Sequence, residues 1–162
     1  MEYQEIERKF LVRGEFQHLA TSATRISQGY IASGHGRTVR VRIRGDKGYL
    51  TIKGPSDHKG LARFEWEKEI SVEEAEALMR ICEPGIIEKT RFLVPSPDGH
   101  HTWEVDEFYG ENEGLVMAEI ELRDENEPFQ KPAFIGREVT GDRRFYNSHM
   151  RSNPFRLWKD DI

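Results

Sequence analysis

The chain has 162 residues, 36% hydrophobic and 33% charged, with a formal net charge of −5. That length suits one domain over 1–162 with a core of its own. The acidic balance argues against a nucleic-acid surface, and no apolar run approaches the ~18 residues of a membrane span. Cys82 is the only cysteine, which excludes an internal disulfide. With no apolar leader at the N-terminus, the expected setting is reducing and cytoplasmic.

The opening segment "EIERKFLV" alternates. Strand side chains point to opposite faces in turn, so Glu5, Glu7 and Lys9 share one face and Ile6, Phe10 and Val12 the other. A short helix is expected over "EFQHLATSA" and a strand around "RISQGYI". "TVRVRIR" sets Arg40, Arg42 and Arg44 against Val39, Val41 and Ile43. After the turn signal "RGDKG", "YLTIK" sets Tyr49, Thr51 and Lys53 against Leu50 and Ile52. "FEWEKEI" gathers Glu65, Glu67 and Glu69 opposite Phe64, Trp66 and Ile70. "SVEEAEALMRIC" opens with Ser71 and, three residues on, Glu74, the capping-box pattern of a helix start.

"KTRFLV" then places Lys89 and Arg91 opposite Phe92 and Val94, and "TWEVDEF" places Glu104 and Asp106 opposite Trp103 and Val105. "AEIELR" aligns Glu119, Glu121 and Arg123 against Ala118, Ile120 and Leu122. Two further helices are expected, one after Pro132 and one from Asp142 to Met150, before "SNPFRLWKDDI", where Pro154 is a breaker.

Seven of these eight strands carry a largely charged face, and the signs are complementary. An open antiparallel sheet would simply wet such a face. A sheet curled around it, with helices on the apolar outside, would enclose a charged tunnel that needs internal pairing, water or an ionic ligand. The pattern alone leaves both open. Between Arg37 and Lys53 the chain carries six basic residues against Asp46 alone, which points to a local anion site. The phosphate-loop motif GxxxxGK[ST] is absent, and "SGHGRT" reads as a hairpin turn. His100 and His101 follow Asp98 in a turn, Arg44 and Lys47 fall at a strand end and turn, and "KGPSDHKGLAR" reads as a solvated loop.

These elements resemble a known family. "EIERK" looks like the ExExK signature of the CYTH superfamily, the triphosphate tunnel metalloenzymes. "QGYI", "RVRIR", "YLTIKG", "RFEWEKEI", "KTRF", "WEVDEF", "AEIEL" and "EVTGDRRFYN" follow in the family's order. The resemblance implies an α+β fold, an eight-stranded antiparallel β-barrel with a charged interior and helices packed outside. It implies metal-dependent hydrolysis of a short triphosphate, most simply inorganic triphosphate, with ATP or thiamine triphosphate as alternatives. A class IV adenylate cyclase, or a module that binds polyphosphate or nucleotide without turnover, remains open.

Carboxylate oxygens suit hard cations such as Mg²⁺ and Mn²⁺. The resemblance assigns that role to Glu5 and Glu7 and to Glu119 and Glu121, expected on facing walls. Arg40, Arg42, Lys53, Lys89 and Arg91 would hold the phosphates, Arg as a bidentate fork and Lys as a point charge. Lys9 would act in catalysis, paired with Tyr30 on the next strand, as in the family's triphosphatases. Arg143 or Arg144 would face the phosphates, the choice being open. The expected partner is a small anionic triphosphate, with no nucleic acid and no membrane; a homodimer stays open.

Overall fold

The computed structural model describes residues 3–162. Nine strands form one antiparallel sheet: β1 (Gln4–Val12), β2 (Ser22–Gly34), β3 (Arg37–Arg44), β4 (Lys47–Ser56), β5 (Ala62–Ile70), β6 (Ile87–Pro95), β7 (Thr102–Phe108), β8 (Val116–Leu122) and β9 (Ile135–Glu138). Their order is β5-β4-β3-β2-β6-β7-β8-β1-β9. β1 also pairs with β5 through Gln4 with Phe64, Glu5 with Arg63 and Ile6 with Ala62. That contact closes β1–β8 into the expected eight-stranded barrel. Among the described residues, no helix is long and apolar enough to cross a membrane.

β9 corrects the helix expected after Pro132. Past Glu7, whose N–H still donates to the Leu61 carbonyl at 3.1 Å, β5 no longer covers that side of β1. Open backbone groups on a strand edge need partners. Ile135 and Glu138 supply them, opposite Val12 and Phe10 across a bulge. The helix expected over "EFQHLATSA" shrinks to a 3-10 turn at Gln17–Leu19, because Ser22 already begins β2. The helix from Asp142 becomes a 3-10 turn at Arg143–Phe145 and a single α turn, α2 (Asn147–Met150). α1 (Val72–Met79) has the expected capping box: the Glu74 N–H donates to Ser71 Oγ, and the Ser71 N–H to the Glu74 carboxylate.

Two apolar clusters frame the barrel. Outside β6, β7, β8 and β1, Phe10 and Trp103 meet edge to face at 5.5 Å, with Phe16, Val105, Ile120 and Phe134 around them. Phe10 and Trp103 are both fully buried, which stabilises the fold by about 1.5–3 kcal/mol for a side chain such as Phe10. The second cluster lies at one end of the barrel. There Ile87, Phe108, Leu115 and Met117 meet Phe145, Met150, Phe155 and Trp158 of the C-terminal segment. That segment plugs part of the barrel end and carries Tyr146 and Asn147 inward.

Candidate active site

Strand alternation turns the charged faces inward, around a cavity of about 130 Å³. Its wall includes Glu5, Glu7 and Lys9 of β1, Tyr30 of β2, Arg40 and Arg42 of β3, and Lys53 of β4. Lys89 and Arg91 of β6 and Glu119 and Glu121 of β8 complete the set named from sequence, so all eleven residues line one cavity.

The carboxylates gather on one side. β1 and β8 are neighbours, with Glu7 opposite Glu121 and Lys9 opposite Glu119, so the two acidic pairs do not face each other across the tunnel. Carboxylate oxygens of Glu5, Glu7 and Glu121 lie within 4.8 Å of one another. Like charges directly opposite on paired strands repel. Burial and the nearby Glu119 and Glu5 raise the Glu7 carboxyl well above its usual range. Burial, then Glu104 and Glu5, push Glu121 up to about 7. An all-oxygen set that resists ionising alone fits a hard divalent cation, which would remove the repulsion. Glu5 differs: burial raises it, but Lys53 at 2.7 Å more than cancels that and holds it low. Glu119 stands outside the three. Its oxygen is 3.9 Å from Lys9 Nζ, and against burial the charges of Lys9 and Arg91 hold it down at about 2.

The cations gather opposite. Asp106 accepts from Lys89 Nζ at 2.7 Å and from Arg91 Nε and Nη2, each at 2.8 Å. Burial disfavours the Asp106 charge, yet Arg91 and Lys89 keep it ionised. Lys89 falls to about 7 through burial, with Arg91 and Arg42 adding to it and Asp106 opposing. Arg42 donates from Nε to Gln28 Oε1 at 2.8 Å and has no carboxylate partner among the described residues. Burial first, then Arg40 and Arg91, lower it to about 9. Arg40 reaches Thr51 at 3.2 Å and Glu67 at 3.5 Å, while its buried Nε finds no acceptor among the described residues. Uncompensated buried charge is costly. An anionic ligand would satisfy both arginines.

The structure adds residues that the sequence reading passed over. Gln28 shares the inward parity of Tyr30 and donates to its hydroxyl at 3.2 Å. Asn147 accepts from Lys89 at 3.0 Å and from Gln28 at 3.1 Å. Parity would have found Gln28, and it placed Asp106 beside Glu104; no sequence period points to Asn147 or Tyr146. Lys9 does not hydrogen-bond to Tyr30 among the described residues; its ammonium lies 4.9 Å from the centroid of the Tyr146 ring.

The tunnel opens into a vestibule of about 870 Å³, and Thr38, Arg63, Tyr146 and Ser148 line both spaces. Arg37, Arg63 and Arg143 line the vestibule from three separate segments without a carboxylate partner among the described residues. Arg144 instead pairs with Asp142 at 2.7 Å and lies against Phe145 and Trp158, so it is Arg143 that reaches the mouth. "KGPSDHKGLAR", read as a plain loop, supplies one vestibule wall through Pro55–Gly60 and Arg63.

Comparison with known proteins places this geometry in a wider set. A model of the CYTH domain matches residues 3–146. The chain is 51% identical over 158 residues to an inorganic triphosphatase of Acetivibrio thermocellus, covering 97% of this chain and 99% of that one. It is 36% identical over 146 residues to an inorganic triphosphatase of Nitrosomonas europaea, covering 88% and 93%. A crystal structure of an inorganic triphosphatase, 32% identical, superposes over 91% of this chain and 93% of its own, with a TM-score of 0.61. A putative adenylate cyclase from Bacillus halodurans, 17% identical over 75% of this chain and 81% of its own, shares the fold at a TM-score of 0.55.

Proposed function

The chain belongs to the CYTH domain family, and we propose that its tunnel hydrolyses inorganic triphosphate with Mg²⁺ or Mn²⁺. The observation that carries this reading is Arg42: buried, charged and without a carboxylate partner among the described residues, beside the orphaned Nε of Arg40. Both face the carboxylates across one cavity. A compact polyanion carrying its own metal matches that divided wall better than a neutral ligand would.

Phosphoryl transfer depends chiefly on positioning and charge neutralisation. Glu5, Glu7 and Glu121 would hold the metal, which supplies charge neutralisation at the phosphate oxygens and orients them. Arg40, Arg42 and Arg91 grip phosphate oxygens as forks, and Lys53 and Lys89 act as point charges. Gln28, Asp106 and Asn147 hold Arg42, Arg91 and Lys89 in place. Lys9 meets the reacting phosphate or the attacking water, and Tyr30 lines the same space. Entry and exit run through the vestibule past Arg37, Arg63 and Arg143.

Orthophosphate release from inorganic triphosphate tests the reading. Release should need added Mg²⁺ or Mn²⁺, stop with a chelator, and be lost in Glu121→Gln. Turnover that persists in chelator, or in Glu121→Gln at low metal, would overturn it.

A further inference from the structure

Lys9 is held at both ends by one distant stretch of chain. Its backbone N–H donates to Thr140 Oγ1 at 2.9 Å, and its carbonyl accepts from the Val139 N–H at 2.8 Å. Its ammonium lies 4.9 Å from the centroid of the Tyr146 ring, six residues beyond Thr140. The carboxylates of Glu7 and Glu119 stand on either side at 3.9 Å, beyond hydrogen-bond distance. The ammonium is thus suspended between two carboxylates and rests on the aromatic face. A ring within ~6 Å attracts a cation electrostatically, more strongly when water is excluded, and the Lys9 side chain is only 11% exposed.

Tyr146 is itself fixed. Its backbone N–H donates to the Arg143 carbonyl at 3.1 Å, and it caps α2. Behind it, the β4–β5 loop is wedged against the same segment. Gly60 has φ +74°, and a Cβ there would come within 2.5 Å of the Gly141 Cα and 3.4 Å of the Tyr146 hydroxyl. Only glycine admits that approach.

We infer that Tyr146 is a positioning residue for the hydrolysis, aiming the Lys9 ammonium into the tunnel and away from Glu7 and Glu119. The inference rests on the reading of Lys9 as the group that meets the reacting phosphate or water. Without the ring, the ammonium collapses onto a neighbouring carboxylate. Collapse onto Glu7 would also tie up an oxygen of the candidate metal set.

The test pairs Tyr146→Phe, which keeps the ring, with Tyr146→Leu, which removes it. Phosphate release should be near wild type in Tyr146→Phe, and kcat should fall about tenfold or more in Tyr146→Leu, within the range of a desolvated cation–ring contact. KM for triphosphate should move much less. Nuclear magnetic resonance of ¹³C-lysine protein gives a readout independent of turnover, with Lys9→Ala identifying the signal. The Lys9 ε-methylene should show a ring-current shift in wild type and Tyr146→Phe that disappears in Tyr146→Leu. Full activity in Tyr146→Leu, or no ring-current shift in wild type, would overturn the inference. Should Lys9→Ala itself keep full activity, the reading of Lys9 fails, and the resonance still reports separately whether the ring holds it.

Discussion

Lys53 on β4 reaches across β5 to place its ammonium 2.7 Å from the Glu5 carboxylate on β1, with Glu65 of β5 at 3.3 Å. The pair ties three strands together at the short β5–β1 closure. It also separates two acids that the sequence presents as equals. Glu5 is held ionised by Lys53, whereas Glu7 is crowded by Glu119 and Glu5.

Substitution should therefore split them. Glu5→Gln weakens a charged hydrogen bond and should cost about 1–3 kcal/mol of stability. Glu7→Gln removes a carboxylate whose folded-state pKa is raised, so its ionised form opposes folding near neutral pH. Its melting temperature in metal-free buffer should hold or rise. Both variants should lose metal-dependent phosphate release. Thermal melts of the two side by side check this, and a Glu7→Gln melt far below that of Glu5→Gln would contradict it.

Asp106 offers a sharper stability test. It lies between Lys89 and Arg91, 1% exposed. Asp106→Asn would leave buried Lys89 without a counter-charge and Arg91 with Glu104 alone, at 3.2 Å. It should cost about 3–5 kcal/mol, the usual result of removing one partner of a buried pair. Triphosphate, without divalent metal, restores negative charge there. It should raise the melting temperature of Asp106→Asn more than that of wild type. Equal shifts would place the anion away from Lys89 and Arg91.

Much of this was legible in advance because charge and period coincide. On β1, β3, β5 and β8 the inward residues are mostly ionised and the outward ones mostly apolar, with Arg8 and Lys68 among the outward charges. Alternation alone therefore sorted Glu5, Arg40, Glu65 and Glu119 onto one surface. β9 was not legible: Ile135–Glu138 becomes a strand only because β1 leaves an edge open beside it, and that edge lies more than 120 residues away in sequence. Tyr146 and Asn147 were hidden for the same reason. They sit on a single helical turn with no period to read, and their partners, Lys9, Gln28 and Lys89, come from other parts of the barrel.

The vestibule should steer substrate. Unpaired arginines at the mouth of a cleft raise the association rate of a polyanion by roughly 10–10³-fold, an effect that salt screens. The association rate constant of triphosphate, followed by stopped flow, should fall with rising ionic strength. In the Arg37→Gln/Arg143→Gln double variant it should start lower and fall less steeply. An unchanged salt slope would remove the vestibule from the route of entry.

Away from the tunnel, His101 lies between two carboxylates, donating to Asp98 at 2.8 Å through Nδ1 and contacting Glu127 through Nε2. The hydrogen bond to Asp98 is the largest cause raising the His101 pKa above 6.5, and Asp98 is lowered to about 2. A histidine raised on folding stabilises fully below its unfolded pKa, and that contribution fades as pH climbs through the folded value. Between about pH 6 and 8, wild type should lose melting temperature relative to His101→Gln. Parallel curves for the two proteins would rule out a charged His101 clasp.

The activity proposed for this tunnel is cleavage of inorganic triphosphate. One assay tests it most directly: purified protein with Mg²⁺ or Mn²⁺, given inorganic triphosphate and ATP in parallel, with orthophosphate and cyclic AMP both quantified. Orthophosphate from triphosphate should be the fastest reaction, with little or no cyclic AMP. Conversion of ATP to cyclic AMP faster than phosphate release from triphosphate would contradict it.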